Sequence, residues 1–243
     1  MTNEQLIQAL KEEISKDEGT LANWSKNYLH THTKRYFHDL SLLEQYYQEG
    51  EILEVGSSPY HLTYLLQQKG YPVTGLDILP ERQQAFLDRT QLKIIQNNVE
   101  TEPLPFPDNS FHYIIFNEIF EHLRINPIQT LREVNRVLHP DGYLALSTPN
   151  LYAVRNIVLF LLGRGFDDPY EEFKKLETIQ HMGHVREYTV KQVRKFLTET
   201  GFQSEAVLLR SFIPMSGTWR LFNGLRKIVP GINEFQIHIA RKA

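Results

Sequence analysis

Between Ile52 and Asp77 the chain reads ILEVGSSPYHLTYLLQQKGYPVTGLD, and three of its residues have the types and spacing to hold a nucleoside. An ionised carboxylate is acceptor-only and takes two O–H donors. Asp77 follows Gly56 by 21 positions, near the ~20-residue spacing that sets a carboxylate on ribose hydroxyls. Gly56 lets a ligand come close to the backbone. A pyrophosphate would be badly served here. Its fingerprint, G-x-G-x-x-G, keeps only the first glycine, and Ser57, Ser58, Pro59, Tyr60 and His61 follow. That disfavours a nicotinamide oxidoreductase. A phosphate-free ligand that joins adenosine to an amino-acid tail tolerates the carboxylate of Glu54 beside the loop.

The elements around these residues alternate. Leu6, Ile7, Leu10 and Ile14 recur at helical spacing; Trp24, Tyr28 and Leu29 predict a second helix, and Phe37, Leu40, Leu43 and Tyr47 a third, closed by Gly50. Strands are predicted at Glu51–Val55, Pro72–Leu76, Leu92–Gln96, Phe111–Phe116 and Tyr143–Ser147. Helices fall at Tyr60–Lys69, Glu81–Arg89 and Pro127–Leu138, and His139–Gly142 (HPDG) predicts a turn. Residues 150–188 read as a helical insertion. A helix at Thr189–Thr200, a strand at Gln203–Leu209, a short helix over 217–229 and a strand at Phe235–Ala240 close the chain. The spacing implies βαβ units around a parallel sheet, that is, an α/β fold of about seven strands. No linker or repeat divides it, so one domain is expected over 1–243: helical cap 1–49, ligand-binding core 50–150, insertion 151–188, and a C-terminal helix and strands 189–243.

Glu54–Ser58 (EVGSS), Thr74–Ile78 (TGLDI), Asn98–Glu100 (NVE), Leu104–Phe111 (LPFPDNSF), Asn117–Leu123 (NEIFEHL), Arg136–Tyr143 (RVLHPDGY) and Ser147–Asn150 (STPN) form an ordered set. It resembles the class I S-adenosylmethionine-dependent methyltransferases, in the type 11 or type 23 group, over residues 50–150 and more weakly to about 210, where HVREYT and TGF also match. The resemblance implies a Rossmann-like, mostly parallel seven-stranded sheet with helices on both faces, and S-adenosylmethionine as cofactor. It implies that Gly56, Ser57 and Ser58 line the methionine part and Asp77 holds the ribose. It also puts Ile78 on the adenine, Asn98 at the adenine amino group, the backbone of Val99 at the ring and the backbone of Asn117 at the methionine amine. Asn98 stands where the family has aspartate. Ser58 and Tyr60 replace the later loop glycines, so Tyr60 either crowds the carboxylate end or binds there with its hydroxyl. This departure motivates the competing reading of a non-catalytic cofactor-binding or scaffold protein.

Methyl transfer is an in-line displacement in which the protein aligns the acceptor and excludes water. A hydroxyl acceptor calls for a base, and histidine suits neutral pH. His184, in QHMGHVREY with His181, is the first candidate for base or acceptor-binding residue; otherwise His184 and Arg186 anchor their loop to backbone. Glu118 is the candidate to orient cofactor or acceptor. His122, next to Glu121, reads as a capping or packing residue. His30, His32 and Arg35 either lid the site or form a solvated helix face. The only close histidine pairs, His30/His32 and His181/His184, have no carboxylate at ligand spacing in the sequence, and no His-Glu-x-x-His is present, so no metal is expected.

Composition narrows the partners. Without cysteine there is no thiolate nucleophile and no cysteine-ligated metal. A net charge of -3, and the absence of an Asn/Asp-Pro-Pro-aromatic motif, argue against a nucleic-acid substrate. A small molecule or saccharide, methylated at oxygen, is the expected acceptor. The polar N-terminus has no apolar core of a signal, which points to the cytoplasm. The run Ile157–Leu162 and the basic-apolar stretch WRLFNGLRKIV at 219–229 could rest on a membrane or a lipid-linked acceptor; packing on the sheet is preferred. The oligomeric state is not readable from the chain.

Overall fold

The computed structural model describes residues 1–179, 183–212 and 214–243. Its strands are β1 (Ile52–Val55), β2 (Val73–Asp77), β3 (Ile94–Gln96), β4 (Phe111–Asn117), β5 (Leu138–Pro149), β6 (Phe202–Arg210) and β7 (Phe235–Lys242). They form a seven-stranded sheet in the order β3-β2-β1-β4-β5-β7-β6. β1 to β5 run parallel, and β7 is antiparallel to both β5 and β6. The order reverses between β1 and β4. A parallel sheet opens a crevice at that point, beyond the carboxyl ends of the strands.

Helices cover both faces. On one side α1 (Asn3–Ser15), α2 (Thr20–Tyr46), α3 (His61–Gln68) and α4 (Gln84–Thr90) pack their apolar residues with Ile52, Tyr113, Ile115, Ala145 and Ile237. On the other, α5 (Pro127–Val137) and, after the insertion helices α6 (Val154–Leu161) and α7 (Pro169–Ile179), α8 (Val190–Glu199) pack with Leu53, Val55, Ile114, Phe116 and Leu146. Neighbouring residues of β1 and β4 thus serve opposite cores, the pattern of a sheet buried on both sides. α9 (Phe222–Ile228) lies between β6 and β7 in the chain.

The cap differs from its sequence expectation. The predicted second and third helices are one helix of 27 residues, α2. No glycine or proline interrupts Thr20–Tyr46, and the buried residues Leu29, Tyr36, Leu40 and Leu43 carry one stripe through the expected break. Gly50 does not cap it. At φ +98° it turns the chain into β1, and a Cβ there would fall 2.1 Å from the His112 ring. α1 starts with a capping box in which Thr2 and Gln5 exchange side chain–backbone hydrogen bonds.

The HPDG turn is absorbed into β5. Leu138 pairs with Phe111, the register breaks, and pairing resumes at Tyr143 with Tyr113, so the turn residues loop out of a single strand. The 219–229 stretch does not lie flat on the sheet. Trp219 and Phe222 pack on each other, centroids 5.9 Å apart, while Leu221 is 87% and Ile228 80% exposed. Phe160, Leu161 and Leu162, from the end of α6, are exposed as well. Among the described residues no helix is long and apolar enough to cross a membrane.

Candidate functional site

A cavity of about 400 Å³ opens over the crevice between β1 and β4. Its floor comes from the strand ends and the loops after them: Gly56, Ser58, Asp77, Ile78, Asn97, Asn98, Val99, Asn117 and Glu118. Its roof is the first half of α2. Trp24, Tyr28, His32 and Arg35 fall at spacings of four, four and three, which is one face of a helix, and all line the cavity. His122 and His184 close the far wall.

Gly56 and Asp77 are placed by backbone necessity. Gly56 has φ +68°, a conformation that strains any side chain, and a Cβ on it would displace Ile119, whose Cδ1 would lie 2.0 Å away. Asp77, at the end of β2, is buried; its Oδ1 accepts from Leu79 N at 2.7 Å and lies 3.5 Å from Arg82 Nη2. Burial raises its pKa, while Leu79 N–H and Arg82 favour the charged form. Ile78, the next residue, is 46% exposed. Asn98 Oδ1 accepts from Glu100 N at 3.1 Å in an Asx turn, whereas the buried Oδ1 of its neighbour Asn97 has no donor.

Three residues expected at the cofactor do not reach the cavity wall. Glu54 is buried beneath the loop, accepts a hydrogen bond from Thr63 and has its pKa pushed by burial up to about 8. Ser57 turns its hydroxyl onto Leu76 O at 3.1 Å. Tyr60, at φ +67°, places its ring in the core with α1 and α2. These residues shape the loop from behind. With Tyr60 turned away, the departure from glycine leaves the cavity open.

The roof is aromatic on one part and charged on another. Tyr28 and His32 stack with centroids 3.9 Å apart and 14° between planes, and Trp24 lies 5.3 Å from Tyr28. Burial and the charge of Arg35 hold His32 at a pKa of about 4, so it is a neutral plate at pH 7. Arg35 is buried; its Nη2 donates to the Tyr28 hydroxyl at 2.9 Å, its Nη1 is 4.0 Å from Glu118 Oε2, and its Nε has no acceptor. Glu118 takes up the left-handed backbone region at φ +56° and accepts from Ser147 Oγ at 2.8 Å. Arg35 and Glu118 face each other too loosely for a closed ion pair. A buried cation beside a part-buried carboxylate, each with spare capacity, matches a ligand that carries both charges.

The far wall brings together residues distant in the chain. His122 Nδ1 donates to Gly183 O at 3.0 Å. Glu121 is fully buried, and burial and the charge of Glu118 push its pKa well above the carboxylate range. Its backbone oxygen accepts from Val185 N and Arg186 N, tying the loop of His184 to the turn after β4. His184 N donates to Glu172 Oε2 at 2.9 Å. Burial holds the His184 pKa below its ordinary value, leaving the ring neutral at pH 7. The loop is thus anchored through its backbone, and Arg186 stacks over Tyr188, 5.4 Å from guanidinium carbon to ring centroid. His30 is exposed on α2 away from the cavity, and His181 lies outside the described residues. The sequence offers no carboxylate at ligand spacing to either close histidine pair, which is the ground for expecting no metal. Folding supplies one, because Glu121 stands between His122 and His184.

Trp24, Tyr28 and Asn97 line the cavity without belonging to any motif in the sequence. Only their helical or loop position was legible; the α2 stripe at 24, 28, 32 and 35 was the available signal.

The "Methyltransferase domain" family model matches residues 28–207. Demethylmenaquinone methyltransferase of Tropheryma whipplei is 35% identical over 100 residues, 40% of each chain. An S-adenosylmethionine-dependent methyltransferase of Thermotoga maritima superposes with TM-score 0.60 at 16% identity, covering 91% of this chain and 95% of that one. Another, from Methanosarcina mazei, gives TM-score 0.58 at 20% identity over 83% and 96%. The chain spans only 40% to 54% of the length of the curated relatives it matches.

Proposed function

Because the chain belongs to the methyltransferase family, whose class I fold uses S-adenosylmethionine, we propose that it transfers a methyl group to an oxygen of a small-molecule or saccharide acceptor. One observation carries this reading: a single cavity has a ribose-type carboxylate, Asp77, on its floor, and the Arg35–Glu118 pair and the histidine wall elsewhere on its lining. The cofactor has a diol, an adenine, and a zwitterionic amino acid. The residues present fit each part. Bound there, S-adenosylmethionine would supply an electrophilic methyl group on sulfur.

In this reading Asp77 accepts from both ribose hydroxyls. Ile78 and the backbone of Val99 cover the adenine, and Asn98 with Asn97 Oδ1 offers acceptors to its amino group. The left-over donor of Arg35 takes the amino acid's carboxylate, and Glu118 with the backbone of Asn117 takes its ammonium group. Gly56, Ser57 and Ser58 shape the loop against which the methionine part lies. The Trp24–Tyr28–His32 wall excludes water from the reacting end, which sharpens every electrostatic contact inside. His184, neutral and half-buried, lines the acceptor side of the cavity. Such a group eases proton loss from a hydroxyl, which favours oxygen as the methylated atom.

Calorimetry with S-adenosylhomocysteine tests the cofactor half. The expected result is one site per chain with micromolar affinity or tighter; no measurable heat and no thermal shift would overturn it. A panel of phenols, sugars and amines, scored by S-adenosylhomocysteine release, tests the acceptor half. Turnover confined to amines would overturn oxygen methylation.

A further inference from the structure

Glu121, His122 and His184 carry chemistry that cofactor binding does not use. Glu121 is 0% exposed. Its Oε2 accepts from Thr148 Oγ1 at 2.9 Å, but its Oε1 is buried and has no hydrogen-bond partner. A buried carboxyl oxygen without a hydrogen-bond partner is a desolvated polar group that a cation would satisfy. Two ring nitrogens face that oxygen, His122 Nε2 and His184 Nε2, each at 3.9 Å. The three donor atoms lie within 4.8 Å of one another.

A distance of 3.9 Å is too long for a hydrogen bond. It is close to what two bonds to one ion require. Bonds of about 2.1 Å meeting at a tetrahedral angle put donors about 3.4 Å apart, so each histidine would close on Glu121 by about half an ångström. The tautomer also fits. A carbonyl can only accept, so His122 Nδ1 carries the proton it gives to Gly183 O, and Nε2 is the nitrogen turned toward Glu121. A backbone carbonyl behind one imidazole and a hydroxyl behind the carboxylate are the outer contacts that orient metal ligands. A competing trio, Asp167, His184 and Glu187, shares His184 through its other ring nitrogen, Nδ1, 3.9 Å from Glu187 Oε1, but uses the exposed Asp167.

We propose that Glu121 Oε1, His122 Nε2 and His184 Nε2 bind a divalent first-row transition-metal ion, such as Mn²⁺ or Zn²⁺, on the acceptor side of the cavity. Two imidazoles and one carboxylate on one side of an ion leave its other positions open. His122 and His184 line the cavity, so those positions face it. Such an ion would supply Lewis-acid chemistry: with His184 as its ligand, the metal would take over from the free imidazole in easing proton loss from an acceptor hydroxyl. That use rests on the oxygen-methylation reading; metal binding does not.

The test is binding, not turnover. Chelator-stripped full-length protein is titrated with Mn²⁺, and free Mn²⁺ is read from its six-line electron paramagnetic resonance signal, with Zn²⁺ as competitor. One Mn²⁺ per chain, displaced by Zn²⁺, is expected. His184→Ala and Glu121→Gln should each weaken it by at least about tenfold, the low end of what losing an orienting contact costs. His30→Ala, altering an exposed histidine elsewhere, should leave it unchanged. S-Adenosylhomocysteine binding by each variant reports an intact fold. Absence of Mn²⁺ and Zn²⁺ uptake up to millimolar concentration, or uptake that survives both substitutions, overturns the site. Metal binding with no S-adenosylhomocysteine binding would sustain the site and overturn the methyltransferase reading instead.

Discussion

Asp77 and Arg35 hold the two polar ends of the same ligand in the proposed reading, yet they were legible to very different degrees. Asp77 is announced by its spacing from Gly56, because a strand–turn–helix–strand unit has a nearly fixed length. Arg35 precedes the first strand and belongs to no motif; only the α2 face shared with Trp24, Tyr28 and His32 brings it to the cavity. Glu121 was equally hidden, since its partner His184 arrives from a separate loop. Replacing Asp77 by alanine removes its charged hydrogen bonds to the ribose, a net loss of about 1.5–3 kcal/mol, so S-adenosylhomocysteine affinity should fall roughly 10- to 100-fold. Arg35→Ala should weaken it similarly, and Arg35→Lys should recover only part, because lysine lacks the planar fork. Calorimetry on the three variants checks both; undiminished binding by either alanine variant removes that residue from the cofactor.

At the level of elements, the order and kind of the strands were legible because period and punctuation are local. What long-range packing decided was not: the fusion of two predicted helices into α2, the loop-out of His139–Gly142 within β5, and the turning of Tyr60 into the core. The join between cap and cofactor loop is His61, the first residue of α3. Its ring bridges two residues of α2, with Ser25 Oγ at 2.9 Å from Nε2 and Tyr36 hydroxyl at 3.1 Å from Nδ1. Burial holds its pKa at about 3. The folded state therefore keeps the ring neutral while the unfolded chain protonates it below about 6.5. The unfolded state binds the extra proton, so stability is full above that pH and is lost as pH falls toward 3. The loss from this one group is roughly 3 kcal/mol by pH 4. In His61→Gln, the decline of melting temperature between pH 6.5 and 4 should be shallower than in the natural protein. Parallel profiles would show that the bridge does not titrate on unfolding.

The whole molecule couples its cap to its cavity through one helix. α2 puts Leu29, Tyr36, Leu40 and Leu43 into the core beneath α1 and α3, and Trp24, Tyr28, His32 and Arg35 over the cavity. α1 covers α2 with Leu6, Leu10 and Ile14, of which Leu6 and Leu10 are completely buried. A lid that opened alone would have to expose both faces of α2, so cap and sheet should unfold together. Leu10→Ala, far from any ligand, then destabilises the entire protein by about 2–5 kcal/mol. A ligand that binds only the folded state adds stability of about 2.7 kcal/mol at one hundred times its dissociation constant. Because one folded state carries both effects, saturating S-adenosylhomocysteine should restore much of the melting temperature lost by Leu10→Ala. Hydrogen exchange followed by mass spectrometry resolves where. Amides in the middle of α2 should exchange at the same rate as those of β1 and β4, slow by the same factor when ligand is added, and accelerate together in Leu10→Ala. If α2 exchanged orders of magnitude faster than β1 and gained protection alone, the cap would be an independently opening lid, and Arg35 would meet the ligand only after closure.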